Sequence, residues 1–485
     1  MYNYINGSYS NNTITCPNGW YYDPKPIRSS VVTEWDLVCS KDMLPETSLT
    51  VFNVGVMLGA ILFGFLSDKF GRKRCFVCAL FLQSIVGSLT ATAQNFYVFM
   101  ILRFIVGALE QGVNITGYIM SIELFPPKQR TIFGVGHEFL WAIGGAMIPF
   151  FAYFLRDWRH LQLCVSLPGA LGIFLWWLIP ESTVWLLAQG RVAEAEDNLA
   201  AIARFNKATL PPNCLSDHEK KADVITAKTP VHTYTFIDLF RTPSLCKITL
   251  CICTLWALNT LVYYGLTYNT PNLDGDMYVN FFIGQMVEIP SVAATMYLIY
   301  RIGRRLPLCF FHVFCGLVCI ACPFIPAQTA SGFDLTWVAV TLAMLGKFSI
   351  NASFTIIYIY GPEIYPTVLR NTGAGLASFS GRFGGIIYPY ISYLKKVNLG
   401  THGDKLPLII FGSFSIIGGL LALPLPETRH NPLPESIDDV EHYAEFCKEA
   451  RRQSAMSGGV AAAGSSENST EMQPLRNGNA KEVIL

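Results

Sequence analysis

Charged residues are scarce in this chain, and their scarcity excludes an ordinary water-soluble fold. Asp, Glu, Lys and Arg make up 14% of the 485 residues, whereas hydrophobic residues make up 52%. Soluble domains average about 25% charged residues. The sequence also lacks a GxxxxGKS or GxxxxGKT phosphate-binding run, so ATP-driven chemistry has no support. Residues 1–40 contain no apolar segment typical of a cleavable signal peptide, and a net charge of +1 gives no reason to expect a nucleic-acid partner.

Long apolar runs are abundant instead. Eleven of them are long enough to cross a hydrocarbon core of about 30 Å, which takes about 20 helical residues. Backbone groups in lipid must be satisfied within their own segment, so these runs are expected to be helices. The predicted fold class is therefore an all-α membrane protein with about eleven transmembrane helices. The runs centre near Val56, Gln83, Gly112, Ala146, Gly172, Leu258, Val292, Val318, Ser349, Phe379 and Gly418.

The distribution of Lys and Arg predicts the topology. Basic residues concentrate in alternate loops, which the positive-inside rule assigns to the cytoplasm. Three lysines in loops of the opposite parity break the rule, but the bias as a whole remains. The loops expected to be cytoplasmic hold Lys69, Arg72, Lys73, Arg74, Lys128, Arg130, Arg301, Arg304, Arg305 and Arg370, and the exceptions are Lys395, Lys396 and Lys405.

An odd number of spans places the N-terminus outside and the C-terminus inside. Asn6 and Asn11 each begin an Asn-X-Ser/Thr acceptor for glycosylation, which fits an extracellular start. Cys16 and Cys39 are candidates for a disulfide in the same segment. The other twelve cysteines lie mainly in helices, where a small apolar packing role is expected.

A polar stretch divides the runs into five and six, which predicts two lobes. The expected boundaries are an extracellular segment at 1–46, a first lobe at 47–179, a cytoplasmic loop at 180–245, a second lobe at 246–426 and a largely disordered cytoplasmic tail at 427–485. Two pairs of segments repeat at corresponding places in the lobes, as in carriers built from internal repeats. They are GFLSDKFGRKR (64–74) with YRIGRR (300–305), and SIELFPPKQR (121–130) with GPEIYPTVLR (361–370).

The second repeated pair carries a charge pattern. In each copy an acid is followed seven residues later by an arginine. We expect these charges to form a lattice between helices that breaks and reforms as the lobes move; the alternative is that they are solvated loop charges. The candidate lattice residues are Asp68, Arg72, Glu123, Arg130, Glu181, Arg304, Glu363 and Arg370.

Four motifs resemble the organic-ion transporters of solute carrier family 22, in the major facilitator superfamily. They are GFLSDKFGRKR (64–74), IPESTVWLLAQGR (179–191), YGPEIYPTVLRNTG (360–373) and LPETRHNPLPESIDD (425–439). VVTEWDLVC (31–39) and YNTPNLDGD (268–276) resemble the organic cation/carnitine branch most. The resemblance implies two pseudo-symmetric helical lobes, a plasma-membrane location and transport of a small organic ion by alternating access.

Two features depart from that family. Its members usually begin with a cytosolic N-terminus, a first span and a long outer loop, whereas this chain starts within such a loop and apparently lacks the first transmembrane helix. Thr183 and Val184 stand where the family's PESPRWL motif has Pro and Arg, which removes one cytosolic charge.

Ionisable side chains inside apolar helices are the candidates for a binding site. Arg382 is the foremost, because organic cation transporters of the family typically have Asp at the matching position while carnitine-type and organic-anion members have Arg. A guanidinium there can hold a carboxylate with two parallel hydrogen bonds, and Lys347 on the preceding helix is expected to add a second positive charge. The alternative is that Arg382 has no role in binding and that its hydrogen bonds are made to helix ends or to Glu363.

Glu288 is the complementary charge predicted in the second lobe. With Tyr263 and Tyr264 it could house a quaternary ammonium, because aromatic faces attract cations, although the tyrosines could equally be packing residues. Glu110 is a further candidate contact and stands two helical turns from Arg103, for which a structural or gating role is favoured.

The remaining intramembrane ionisable residues, His137 and Glu138, receive no role from the sequence. Both stand near the expected cytoplasmic end of their helix.

The prediction is a carrier of small organic cations or carnitine-like zwitterions, not an enzyme, with no cofactor or metal. Its partners are the organic ion, the lipid bilayer and a coupling ion, Na⁺ or H⁺, that the residues do not identify. One alternative is an organic-anion exchanger, which would follow if Glu288 does not contact the substrate. The other is a membrane protein that binds or scaffolds without transport because it lacks the first helix.

Overall fold

The computed structural model describes most of the chain. It covers residues 2–5, 8–13, 20–23, 27–125, 127–208, 235–273, 275–326, 328, 334–397, 403, 405–429, 431–449 and 452, and for residues 2–5, 8–13, 127–135 and 272 it describes the backbone alone.

Helices make up nearly all the described structure. A hairpin of two antiparallel strands, β1 (Tyr2–Ile5) and β2 (Ser8–Thr13), precedes them. The first helix group comprises α1 (Val31–Glu34), α2 (Leu44–Phe70), α3 (Arg72–Thr90), α4 (Phe96–Leu124), α5 (Pro127–Phe154), α6 (Trp158–Ser166), α7 (Leu175–Leu178), α8 (Thr183–Ala188) and α9 (Val192–Phe205). The second group comprises α10 (Pro243–Asn269), α11 (Met277–Met286), α12 (Glu288–Arg301), α13 (Arg305–Ala321), α14 (Thr336–Ile364), α15 (Arg370–Tyr393), α16 (Leu406–Ala422) and α17 (Ile437–Glu441). Short 3₁₀ turns lie at Cys39–Lys41, Leu167–Phe174, Phe236–Phe240, Thr270–Asn272 and Cys322–Phe324.

Ten of the eleven predicted centres lie within an α-helix, and the remaining one, Gly172, lies in the 3₁₀ segment Leu167–Phe174. Eight helical segments of the described chain, two of them made of shorter helices in succession, are long and apolar enough to cross a membrane, and α5, α15 and α16 occupy the other three predicted runs. Two runs are interrupted: a 3₁₀ turn separates α6 from α7, and α11 ends at Met286 before α12 begins at Glu288. The all-α fold class is confirmed.

Glycines allow close crossings inside each group. On α2, Gly55 and Gly59 form a GxxxG pair that lies directly on the backbone of α4, where a side chain on Gly59 would meet the Cα of Ala108 at 2.6 Å. In a membrane, small residues of this kind let helix backbones pack without polar contacts. In the second group, α10 packs on α15 and α13 packs on α16.

The corresponding turns of the two groups share a backbone conformation. Gly71, between α2 and α3, has φ of +104°, and Gly303, between α12 and α13, has φ of +120°. Only glycine adopts such angles without strain. The carboxylates of Glu181 and Glu427 fill the space above these two glycines, so the repeat predicted at 64–74 and 300–305 has the same local structure in both copies.

The two groups contact each other through α2 with α15 and through α5 with α11 and α12. We call the end of the bundle where α2 begins the Glu46 end, and the end where α14 finishes the Glu363 end. Because consecutive long helices run in alternate directions, α2, α4 and α14 all finish at the Glu363 end, and α10 and α15 begin there.

Candidate functional site

A cavity of about 380 Å³ lies between the two helix groups. Helices α4 and α5 form its wall on one side, and α10, α12, α14 and α15 form the other. The lining residues are Glu110, Gln111, Asn114, Tyr118, Ile122, His137, Glu138, Trp141, Trp256, Thr260, Tyr263, Tyr264, Met296, Asn351, Phe354, Thr355, Tyr358, Ile359, Ser378, Gly381 and Arg382.

Helical spacing explains why these residues share one wall. On α4, Glu110, Asn114 and Tyr118 follow each other at four-residue steps, and side chains four apart lie above one another on one helix face. On α14, Asn351 and Thr355 repeat the pattern. The polar positions of otherwise apolar helices therefore turn toward the cavity and away from lipid.

Aromatic rings form most of the wall contributed by the second group. The centroid of Tyr358 lies 4.5 Å from that of Trp256 and 5.3 Å from that of Phe354. Phe354 in turn lies 5.2 Å from Tyr263, and Tyr263 lies 5.4 Å from Tyr264. These rings present faces and edges that attract cations and apolar groups.

Arg382 lines the cavity, as does Glu110 from the opposite group. The Arg382 guanidinium is close enough to Glu110 to act on its carboxylate electrostatically, and it shares the cavity with Tyr264 and Tyr358. Among the residues that the structure describes, however, it has no hydrogen bond and no ion pair within 4.0 Å. The alternative partner, Glu363, is instead paired with Arg304, so the donors of Arg382 are available to a ligand.

Glu288 and Lys347 lie behind this wall. Their side chains are paired, with Lys347 Nζ 3.3 Å from Glu288 Oε1, and both are almost fully buried, at 1% and 3% exposure. The hydroxyl of Tyr263 donates to the same oxygen of Glu288 at 2.9 Å. Lys347 is thus placed beside Glu288 and not beside Arg382 as the sequence predicts, and of these three residues only Tyr263 lines the cavity.

Helix α5 turns one face toward the second group. Trp141 Nε1 donates to the hydroxyl of Tyr263 at 3.4 Å. One turn further, Gly145 lies against Gln285, whose Cδ would be 2.8 Å from a side-chain carbon at that glycine. His137 and Glu138, to which the sequence gives no role, lie on the same face and line the cavity.

Contacts between the two groups close the Glu46 end. Glu46 is buried, and its carboxylate accepts from Lys396 Nζ at 2.7 Å and from the Tyr268 hydroxyl at 2.8 Å. The Tyr393 hydroxyl donates to Asp42 at 2.8 Å. The cavity lining, in contrast, continues along α4 as far as Ile122, near the Glu363 end.

At the Glu363 end, the predicted lattice residues of the first group gather around Arg72. Its guanidinium forms an ion pair with Asp68 and lies 3.7 Å from Glu123. Glu181 accepts from the backbone N–H of Lys73 at 2.9 Å. The structure describes the backbone of Arg130 in α5, but its side chain lies outside the described part.

The second group repeats the arrangement. Arg304 pairs with Glu363 at 3.1 Å, and Arg370 donates to the backbone carbonyl of Pro362 at 3.1 Å. Glu427, which the sequence does not single out, accepts from the backbone N–H groups of Arg304 and Arg305, both at 3.0 Å. The PET sequence at 426–428, matching PES at 180–182, is the signal that could have identified it. In the described residues, the ion pairs at this end lie within one group or the other.

Other predicted residues lie away from the cavity. Arg103 is held over the ring of Phe52, 4.8 Å from its centroid. Cys39 is a free, exposed cysteine, whereas Cys16 and Asn6 lie outside the described residues. Asn11 lies in β2, where the backbone alone is described. The disulfide and the two glycosylation sites stay predictions.

Comparison with known proteins gives three main results. The sugar (and other) transporter family matches residues 9–436. The organic cation transporter protein of Drosophila melanogaster is 40% identical over 466 residues, which cover 94% of this chain and 82% of that protein. Organic cation/carnitine transporter 2 of Homo sapiens is 35% identical over 427 residues, which cover 88% and 74%.

Among solved structures, the inward-open xylose transporter XylE from E. coli is similar, with a TM-score of 0.62 at 16% identity over 83% of this chain and 90% of that one. At that identity the likeness concerns the fold alone.

Proposed function

The chain belongs to the sugar (and other) transporter family and has the major facilitator fold of a membrane transporter, not an enzyme; on that premise we propose that it carries small organic cations and carnitine-like zwitterions. Arg382, unpaired in an aromatic cavity between the two helix groups, is the observation that supports the proposal most. The Arg382 side chain is partly buried, so its donors are partly withdrawn from bulk water and need a ligand or water in the cavity to satisfy them.

The cavity combines features that a zwitterion needs. Arg382 offers two parallel donors for a carboxylate, and the neighbouring aromatic rings of Tyr264 and Tyr358 suit an ammonium group. A simple organic anion would gain from Arg382 but would face the carboxylates of Glu110 and Glu138 in the same cavity. This balance favours a zwitterion or a cation over an anion.

Transport would proceed by alternating access. We assign the long helices of the two groups to lobes at 47–179 and 246–426, joined by the loop at 180–245. The Glu46 end is closed by contacts between groups, while the cavity lining reaches toward the Glu363 end. With the basic loops in the cytoplasm of a plasma-membrane protein, this conformation faces inward, and the outward-facing conformation would open the Glu46 end and close the Glu363 end.

Uptake into liposomes tests the proposal. Purified protein is reconstituted, and labelled carnitine, tetraethylammonium and glutarate are offered separately, with protein-free liposomes as the control. We expect saturable uptake of carnitine or tetraethylammonium and none of glutarate. Saturable uptake of glutarate alone would favour the anion exchanger, and no uptake of any of the three by folded protein would contradict the transport function.

A further inference from the structure

The predicted cation ligand, Glu288, is already neutralised inside the protein. Its Oε1 faces Lys347 Nζ at 3.3 Å and accepts from the Tyr263 hydroxyl at 2.9 Å. The carboxylate is 2% exposed and takes no part in the cavity lining. A substrate ammonium would have to displace Lys347 to reach Glu288. The charged amino group of Lys347 would then be buried without a partner.

Glu138 is in the opposite situation. Its side chain lines the cavity, and it has no hydrogen bond or ion pair to any residue in the described part of the chain. Its position is nevertheless fixed, because Trp141, three residues further on α5, is hydrogen-bonded to Tyr263. Gly145 continues the same face, packed on Gln285. The helix therefore holds an uncompensated carboxylate against the cavity.

Aromatic side chains line the cavity together with this carboxylate. Tyr118 on α4 and Tyr358 on α14 line the same cavity as Glu138, and Trp141 lies one turn along its own helix. Ring faces and a carboxylate together form the type of site that binds a quaternary ammonium, which can make no hydrogen bonds of its own.

The charges of the cavity are unevenly distributed. Glu110 has a cation, Arg382, close enough to act on it electrostatically, although the two side chains form no ion pair within 4.0 Å in the described residues. Glu138 has no ion pair with any residue in the described part of the chain, and the charged group that acts on it is the carboxylate of Glu288, which is itself paired with Lys347. Arg382, Tyr358 and Glu138 all line the same cavity. A cavity that holds both charges suits a ligand with a positive group at one end and a polar or anionic group at the other.

We propose that Glu138 is the carboxylate that binds the positive group of the substrate, and that it sets the preference of the cavity for cations and zwitterions over anions. The inference rests on the transport function proposed above. According to this inference, the residue that contacts the cation lies on α5 of the first helix group and not on α12 of the second.

The test compares Glu138→Gln with wild type. KM for tetraethylammonium and carnitine is measured in liposomes, and binding is measured separately as the shift in melting temperature that each compound causes in the purified protein. We expect Glu138→Gln to raise KM for both compounds about ten-fold or more, since a lost charge partner in a cavity commonly weakens binding by at least that factor. Glu194→Gln, on the exposed face of α9, is the matched control and should leave KM unchanged.

Two further variants separate the possible outcomes. Glu138→Asp keeps the charge but shortens its reach, so it should fold and weaken tetraethylammonium binding less than Glu138→Gln does. If Glu138→Gln does not fold, an unchanged KM in Glu138→Asp would overturn the inference. Loss of tetraethylammonium binding in Glu110→Gln with wild-type binding in Glu138→Gln would assign the contact to Glu110 and overturn it as well.

These measurements distinguish a wrong inference about Glu138 from a wrong transport function. If wild type neither moves nor binds the two compounds, the function is wrong and with it the inference. If wild type binds them and Glu138→Gln binds them equally well, the function stands and the inference alone is wrong.

Discussion

Glu46→Gln should loosen the closed end of the bundle. Glu46 belongs to α2 in the first helix group, and its two partners, Lys396 and Tyr268, belong to the second. The substitution keeps the size and shape of the side chain but removes its charge. Because these contacts join the two groups, they exist only in conformations in which the Glu46 end is closed.

The contacts set the size of the effect. The Lys396 side chain is 48% exposed, so its ion pair is worth about 0.2 to 1 kcal/mol after solvent screening. Weakening the hydrogen bond from Tyr268 adds about 1 kcal/mol. A total of about 1 to 2 kcal/mol would shift the equilibrium toward opening of the Glu46 end about 5- to 30-fold.

Thiol labelling measures that shift. Asn114, which lines the cavity, is replaced by cysteine, and a membrane-impermeant maleimide is added from the side of the Glu46 end. The labelling rate is corrected with the same protein lacking this cysteine. We expect Glu46→Gln to raise the rate about 5- to 30-fold.

A matched control lies at the same end of the bundle. Glu34 forms an ion pair with Arg159, but both residues belong to the first group. Glu34→Gln therefore removes a comparable pair without affecting the contact between groups, and it should not change labelling. An unchanged rate in Glu46→Gln, or an equal rise in both variants, would refute the reasoning that the Glu46 contacts hold this end closed.

Two other predictions concern the helix ends and the helix crossings. Asp68→Asn or Arg72→Ala should leave surface expression near normal but lower uptake about five-fold. We expect these charges to contact the second group when the Glu363 end closes in the outward-facing conformation, and losing about 1 kcal/mol of that contact would shift the transport equilibrium; wild-type uptake per surface protein in both variants would remove this role. Gly59→Ala should lower the melting temperature of the purified protein, since the added methyl overlaps Ala108 on α4, and overpacking costs about 1 to 3 kcal/mol. Gly64→Ala, where nothing lies within 4 Å, is its control, and equal melting temperatures would contradict the proposed crossing.

The helices were predictable because the signal for each is strong and local. An apolar run as long as that around Val56 or Ser349 must form a helix in a membrane, because its backbone groups can be satisfied only within the segment. The break between α11 and α12 was not predicted, because the run around Val292 is apolar on both sides of it.

The candidate site was partly predictable. Arg382 could be identified because an arginine in an apolar membrane helix is costly unless it faces a cavity or a partner. The pairing of Glu288 with Lys347 could not be derived, since it depends on how α12 and α14 are rotated against each other, and no local pattern fixes that rotation.

The position of Glu138 in the cavity could not be predicted either, because it also depends on how a helix is rotated against its neighbours. Apart from His137, its neighbours on α5 are apolar, so the sequence does not tell which face of the helix meets the second group. The contacts of Trp141 and Gly145 supply that information.

The most direct test of the account is substrate discrimination in Arg382→Ala. If the cavity binds the organic ion with its carboxylate at Arg382, removing the guanidinium leaves that carboxylate unpaired, which typically costs about 2 to 5 kcal/mol. Concentration-dependent uptake of carnitine and of tetraethylammonium is measured in wild type and variant, corrected for surface protein. The account predicts that carnitine affinity falls at least about 30-fold, while tetraethylammonium, which has no carboxylate, binds as well as or better than in wild type. Equal losses for the two compounds would mean that Arg382 is structural and would contradict the account.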